Sequence, residues 1–161
     1  MGVTEELFRF NSWANLTLID FCAALSSGAL GSTAPGTYGS IIDTLRHISG
    51  GEERYLLFLH GSSERPAVME KDLLDLPALR HEAEGHAERW TAFLATEPDI
   101  DKIVRRTRLD GRVDAVPVKT LLVQAIHHGN DHRTQICTVI GSLGLEIPDL
   151  SAWTFYPAPQ T

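Results

Sequence analysis

Cysteine is scarce in this sequence: Cys22 and Cys137 are the only two among 161 residues, and they form no Cys-x-x-Cys pair. That excludes a disulfide framework, and both lie in helical patterns, where a lone cysteine is a small buried hydrophobe. No apolar run approaches the ~18 residues needed to span a bilayer. A signal peptide's basic start and apolar core are missing too, since Glu5 and Glu6 stand there. Positive charge is in deficit, with 14 Lys and Arg against 21 Asp and Glu and a formal charge of −7. This argues against nucleic acid or an anionic membrane as the main partner. The local exception, Lys102-Ile103-Val104-Arg105-Arg106-Thr107-Arg108, reads as a solvated strand face. Internal repeats, low-complexity segments, a P-loop, a Gly-x-Gly-x-x-Gly and a Ser–His–Asp order are all lacking. A soluble protein in a reducing, cytoplasmic setting is expected.

What is present is an ordinary globular composition, 43% apolar and 22% charged. The length predicts one domain over residues 1–161, burying roughly 70% of its unfolded surface. Four stretches carry helical periodicity. The first, Thr4 to Ser26, places Leu7, Phe10, Ala14, Leu18, Phe21 and Leu25 on one face, with Thr4 as cap and Gly28 and Gly31 beyond its end. Asn11 and Asn15 interrupt it, and as mediocre helix formers they read as a polar pair reaching another helix, or as residues supporting a site or a dimer contact. The second runs from Tyr38 to His60 on Ile41, Leu45, Ile48, Tyr55, Leu56 and Leu59, with Glu52 and Glu53 read as solvated. The third opens at Asp75-Leu76-Pro77, closes before Pro98, and carries Leu79, Ala83, His86, Trp90 and Phe93. The fourth starts at Pro117 and ends at Gly144, with Val118, Leu121, Leu122, Ala125, Ile136, Val139 and Leu143 inward.

Two connections shape the topology. Thirteen extended residues over 62–74 reach about 40 Å, while a 23-residue helix spans roughly 35 Å. The third helix can therefore point the same way as the second. Asp110-Gly111, between Ile103–Arg108 and Arg112–Val116, predicts a β-hairpin before the fourth helix. The aromatic, proline-containing tail from Pro148 to Thr161 reads as packed irregular structure over a helix end.

The chemistry concentrates in His127-His128-Gly129-Asn130-Asp131-His132-Arg133. His128 and His132 share the inner stripe of the fourth helix four residues apart, close enough to hold one metal ion. The zinc-protease pattern His-Glu-x-x-His is not met, because Gly129 stands where the glutamate general base belongs. A third histidine from a facing helix would complete a site with open positions. Spacing leaves the donor open between His47, on the flank of the second helix's stripe, and His86, on the stripe of the third. Asp131 or Asp43 is placed to orient an imidazole.

Asn11-x-Trp13-Ala14-Asn15, Leu45-Arg46-His47-Ile48 with Glu52-Glu53, His128-x-x-x-His132-Arg133-Thr134-Gln135 and the final Trp153-Thr154-Phe155-Tyr156 together resemble the DinB family. The resemblance implies an all-α four-helix bundle of up-down-down-up topology, usually a homodimer. It also implies a divalent metal, zinc or nickel, held by His47, His128 and His132, with His86 and His127 outside. Thr134 departs from the glycine common in the family at that place. The family includes transferases and isomerases that use a low-molecular-weight thiol on a small electrophile. The alternatives are a non-catalytic metal-binding stress-response protein and a plain helical interaction module.

Overall fold

Helix starts in this chain are written in capping side chains. Ser40 accepts from the Asp43 amide at 3.2 Å and opens α3 (Ile41–Leu59). Asp75 accepts from the Ala78 amide at 2.9 Å and opens α4 (Leu76–Leu94), with Pro77 in the first turn. The first helix, α1 (Val3–Cys22), is capped two residues earlier than Thr4 would place it: the Gly2 amide donates to Glu5 at 2.7 Å. It stops at Cys22, and a short α2 (Ser27–Leu30) follows. The last long helix, α5 (Val118–Ser142), begins after Pro117 and is followed by Gly144 at φ 72°. A final turn, α6 (Ala152–Phe155), packs Phe155 against Phe10 and Trp13 of α1, so the tail covers a helix side.

The computed structural model describes residues 2–61, 73–107 and 110–156. The expected connection over 62–74 thus falls largely outside the described residues, as do Arg108 and the tail from Pro157. The expected hairpin is present: β1 (Ile103–Thr107) pairs antiparallel with β2 (Val113–Pro117), Ile103 opposite Pro117 and Thr107 opposite Val113. Gly111, at φ 82°, supplies the left-handed backbone that the predicted turn requires.

Cross-helix contacts give the directions. Between α3 and α4 the numbers rise together: Arg46 donates to the Leu74 carbonyl just ahead of α4, and Glu53 meets His86 and Arg89. Those two helices are parallel. Between α1 and α4 they run oppositely, with Asp20 on Arg80 and Phe8 on Trp90. Between α3 and α5 they also run oppositely, from Tyr38–Gln135 to Tyr55–His128. The bundle is up-down-down-up. No described helix is long and apolar enough to cross a membrane.

Two apolar clusters fill it. Phe8, Leu56, Trp90, Leu94, Leu121 and Ala125 belong to the one at the hairpin end. Leu18, Ile41, Ile48, Leu79, Ile136 and Val139 belong to the other. On every long helix a polar residue falls between them: Asn11 and Asn15, Glu52 and Glu53, His86, and Arg133 are all buried. This layer turns the buried face of α1 away from the expected Leu7–Phe10 line. Phe8, Asn11, Asn15, Leu18 and Cys22 face inward, while Leu7 is 46% exposed. Glu52 and Glu53 are likewise buried rather than solvated, and Leu143, past the end of α5, is 41% exposed.

Within the layer, Glu52 accepts from Asn11 Nδ2 at 2.8 Å, from Asn15 Nδ2 at 3.4 Å, and from the Trp90 indole. The carbonyl oxygens of the same two asparagines each accept from Arg133 Nη1 at 2.7 Å. Burial pushes the Arg133 guanidinium down to about 10, and the Glu52 charge opposes that shift. Removing Glu52 strands a buried cation and three donors. Glu52→Ala should therefore cost about 3–5 kcal/mol in denaturant unfolding. A loss under about 1 kcal/mol would show that the network carries no such weight.

Candidate functional site

His47 stands on α3, and His128 and His132 stand on α5, one turn apart. The antiparallel pairing of the two helices brings them to one level. His47 Nε2 lies 2.9 Å from His128 Nε2, and one ring nitrogen from each of the three residues falls within 4.8 Å of the others. The ring centroids are 4.4 to 4.7 Å apart. His132 is buried; His47 and His128 are half-buried, so the cluster reaches the surface on one side.

Two glycines make the approach possible. A Cβ on Gly51, one turn along α3 from His47, would sit 2.5 Å from His128 Cε1. The His128 imidazole occupies the space that any other residue at 51 would fill. A Cβ on Gly129 would sit 2.6 Å from Asn11 Oδ1 and 2.7 Å from Arg133 Nη1. The room at Gly129 is thus taken by a neighbouring helix and by Arg133, and α5 accepts the ~1 kcal/mol a helical glycine costs.

The orientation of His132 is fixed from behind. Its Nδ1 donates to Gln135 Oε1 at 3.2 Å, and that oxygen also accepts from the Tyr38 amide at 2.9 Å. Gln135 Nε2 in turn donates to Asp131 at 3.1 Å. Asp131 therefore acts on the imidazole at one remove, through Gln135. The tautomer this selects leaves the Nε2 lone pair of His132 for the cluster. Asp43 is engaged elsewhere, with Ser40 and Arg46. Tyr38 stacks on His47 at 3.9 Å and 20°, and Tyr55 meets His128 edge-on at 5.7 Å. Sequence reading missed Tyr38, Tyr55 and Gln135. Gln135, three residues after His132, and Tyr55, on the second helix's apolar stripe, each gave a helical-spacing signal.

The other candidates are apart. His86 is buried against Glu53, its Nε2 3.1 Å from the carboxylate. Its polar partner comes from α3, not from its own helix. His127 lines a surface groove with Leu7 and Lys119. Thr134 is exposed and donates to the Asn130 carbonyl at 2.9 Å, so it points away from the three rings.

Hydrogen bonding from His86, aided by the Arg89 guanidinium, holds the Glu53 carboxyl below its ordinary value of 4.5, against the effect of burial. A carboxylate with a depressed folded-state pKa contributes stability that is complete above the unfolded value. The contribution is lost as pH falls through the folded one. Unfolding free energy should therefore decline as pH drops below about 4.5, and Glu53→Gln should flatten that part of the profile. An unchanged slope in the variant would assign the acid sensitivity to other carboxylates.

The DinB family model matches residues 1–159. Five solved chains also match. One is YfiT from Bacillus subtilis, described as a probable metal-dependent hydrolase with an unusual four-helix bundle topology. It superposes with a TM-score of 0.65 at 13% identity, covering 91% of each chain. Another is a DinB-like protein from Bacillus cereus ATCC 10987, with a TM-score of 0.60 at 21% identity over 90% of this chain and 93% of that one. At these identities the likeness is one of fold. No curated protein sequence matches.

Proposed function

This chain belongs to the DinB family, and we propose that it is a cytoplasmic metal-dependent enzyme that joins a low-molecular-weight thiol to a small electrophile, or isomerises one with its help. His47, His128 and His132 hold one divalent ion, zinc or nickel. The observation that carries the reading is the convergence of three imidazoles from two helices, with a ring nitrogen from each within 4.8 Å. The donor set fits such an ion. The three donors are imidazole nitrogens, Gln135 engages Nδ1 of His132 and leaves its Nε2, and the Nε2 atoms of His47 and His128 lie 2.9 Å apart. When bound, the ion supplies Lewis acidity that favours the deprotonated form of a thiol at neutral pH.

The chain's own residues favour a thiol from outside. Burial pushes the Cys22 thiol up to about 12 and raises Cys137 as well, so neither is an internal nucleophile. A hydrolytic reading has YfiT's description in its favour. It needs a proton acceptor for water, and the place where zinc proteases keep their glutamate is here Gly129, closed by Asn11 and Arg133. A thiol, with an ordinary pKa near 8.5, makes a smaller demand. A non-catalytic metal-binding stress-response role needs the same site. A panel of thiols tested for turnover of a small electrophile separates it from the enzyme.

Metal binding requires neutral imidazole, so affinity should weaken as pH is lowered and protons compete for the ring nitrogens. His47→Ala, His128→Ala and His132→Ala should each lose most zinc affinity in competition with a chelator while remaining helical by circular dichroism. His86→Ala should keep the metal and lose stability. If His86→Ala loses zinc and His47→Ala retains it, the third ligand comes from α4 instead.

The protein is also proposed to be a homodimer. Exposed Leu7, Ile100 and Val123 lining the α1–α5 surface groove support it. Sedimentation at tens of micromolar should give twice the chain mass, and a monomer there would count against the proposal.

A further inference from the structure

The buried polar layer has two halves. In one, Glu52 holds Asn11 and Asn15, and through them Arg133. In the other, Glu53 holds His86 and Arg89. Where α1, α3 and α4 meet lies a cavity of about 20 Å³. Ser12, Asn15, Ser49, Glu52 and His86 form its polar lining, and apolar side chains of all three helices close the rest. Both halves of the layer therefore reach this one cavity.

Ser49 decides what the cavity takes. It is 7% exposed, and its Oγ is buried without a hydrogen-bond partner. Other helical hydroxyls of this bundle turn back onto their own backbone. Thr44 donates to the Ser40 carbonyl at 2.7 Å, Thr91 to that of Ala87 at 2.8 Å, and Thr138 to that of Thr134 at 2.9 Å. Ser49 makes no such bond and lines the cavity instead. An unmet buried hydroxyl is costly, so a partner that fits the space is favoured there. One water needs about 10–15 Å³ of room and roughly two to four polar partners. The room is sufficient for a water and too small for an organic ligand. Partners are at hand besides Ser49. A carboxylate offers about four lone-pair positions, and Asn11, Asn15 and the Trp90 indole occupy Glu52 without exhausting them. His86 meets Glu53 through Nε2, which leaves its Nδ1.

We infer that this cavity binds a single water molecule on Ser49 Oγ, and that the water joins the Glu52 and Glu53 halves of the polar layer into one network. The inference is independent of the metal-site reading. Water-oxygen magnetic relaxation dispersion on the full chain counts long-lived internal waters without interference from exchanging hydroxyl protons. Wild-type protein should show one more than Ser49→Val, whose side chain removes the anchor and fills the space. Ala83 lines the cavity from α4, so Ala83→Val should lose the same water. It decides the count should Ser49→Val fail to fold by circular dichroism. Ser49→Ala is read separately by urea unfolding. A water-bonded hydroxyl is stabilising, so this variant should raise the unfolding equilibrium constant about fivefold, against alanine's better helix propensity. An equal water count in wild type and either folded valine variant overturns the inference. So does an unfolding constant for Ser49→Ala that is unchanged or lower, because deleting an orphaned hydroxyl from a dry cavity would stabilise the fold.

Discussion

Arg133 is held out of water by two asparagines of α1, which are themselves held by a glutamate of α3. That chain of contacts is the constraint on which the site depends. Arg133 immediately follows His132, so whatever fixes the guanidinium fixes the rotation and height of α5 at the histidines. Apolar clusters above and below the layer fill volume, but they tolerate sliding and repacking. A buried charge with directional partners does not, because a small shift leaves it unsatisfied. The network thereby sets the register in which α5 faces α3, and the three imidazoles meet as a consequence.

Glycine completes the arrangement from the opposite direction. Gly129 lets Asn11 and Arg133 meet beside α5, and Gly51 lets His128 lie against the backbone of α3. Each weakens its helix by about 1 kcal/mol relative to alanine. The same two positions admit the polar layer on one side of α5 and the imidazole cluster on the other. Local helix propensity is thus lowered where the helices must come closest, and the interhelical contacts offset it.

The helices and the hairpin were legible in the sequence because each rests on local signals. Apolar residues recur at helical spacing, Asp75 and Pro77 mark a start, and Asp110-Gly111 marks a turn. His128 and His132 were legible for the same reason. The buried face of α1 was not, because apolar periodicity is blind to a polar core: Asn11 is as buried as Ala14, yet its partner Arg133 lies 122 residues away. Glu52 and Glu53 looked solvated for that reason too. Tyr38 precedes α3 and has no periodic context, so its stacking on His47 could be seen only once the loop was placed.

His47 and His86 sharpen the point, since spacing left the third histidine open between them and only His47 joins the cluster. His86 lies on the centre of its helix's apolar stripe, which puts it deep between helices, where its nitrogen needs a fixed partner and finds Glu53. A side chain so enclosed has no room for a ligand with open positions. His47 lies on the flank of its stripe, and the flank of a helix is where two helices part and a furrow opens to solvent. A site that must both gather several side chains and admit a small molecule belongs at that boundary. Flank histidines on facing antiparallel helices are therefore better candidates than central ones, and what separates the two classes is access rather than burial.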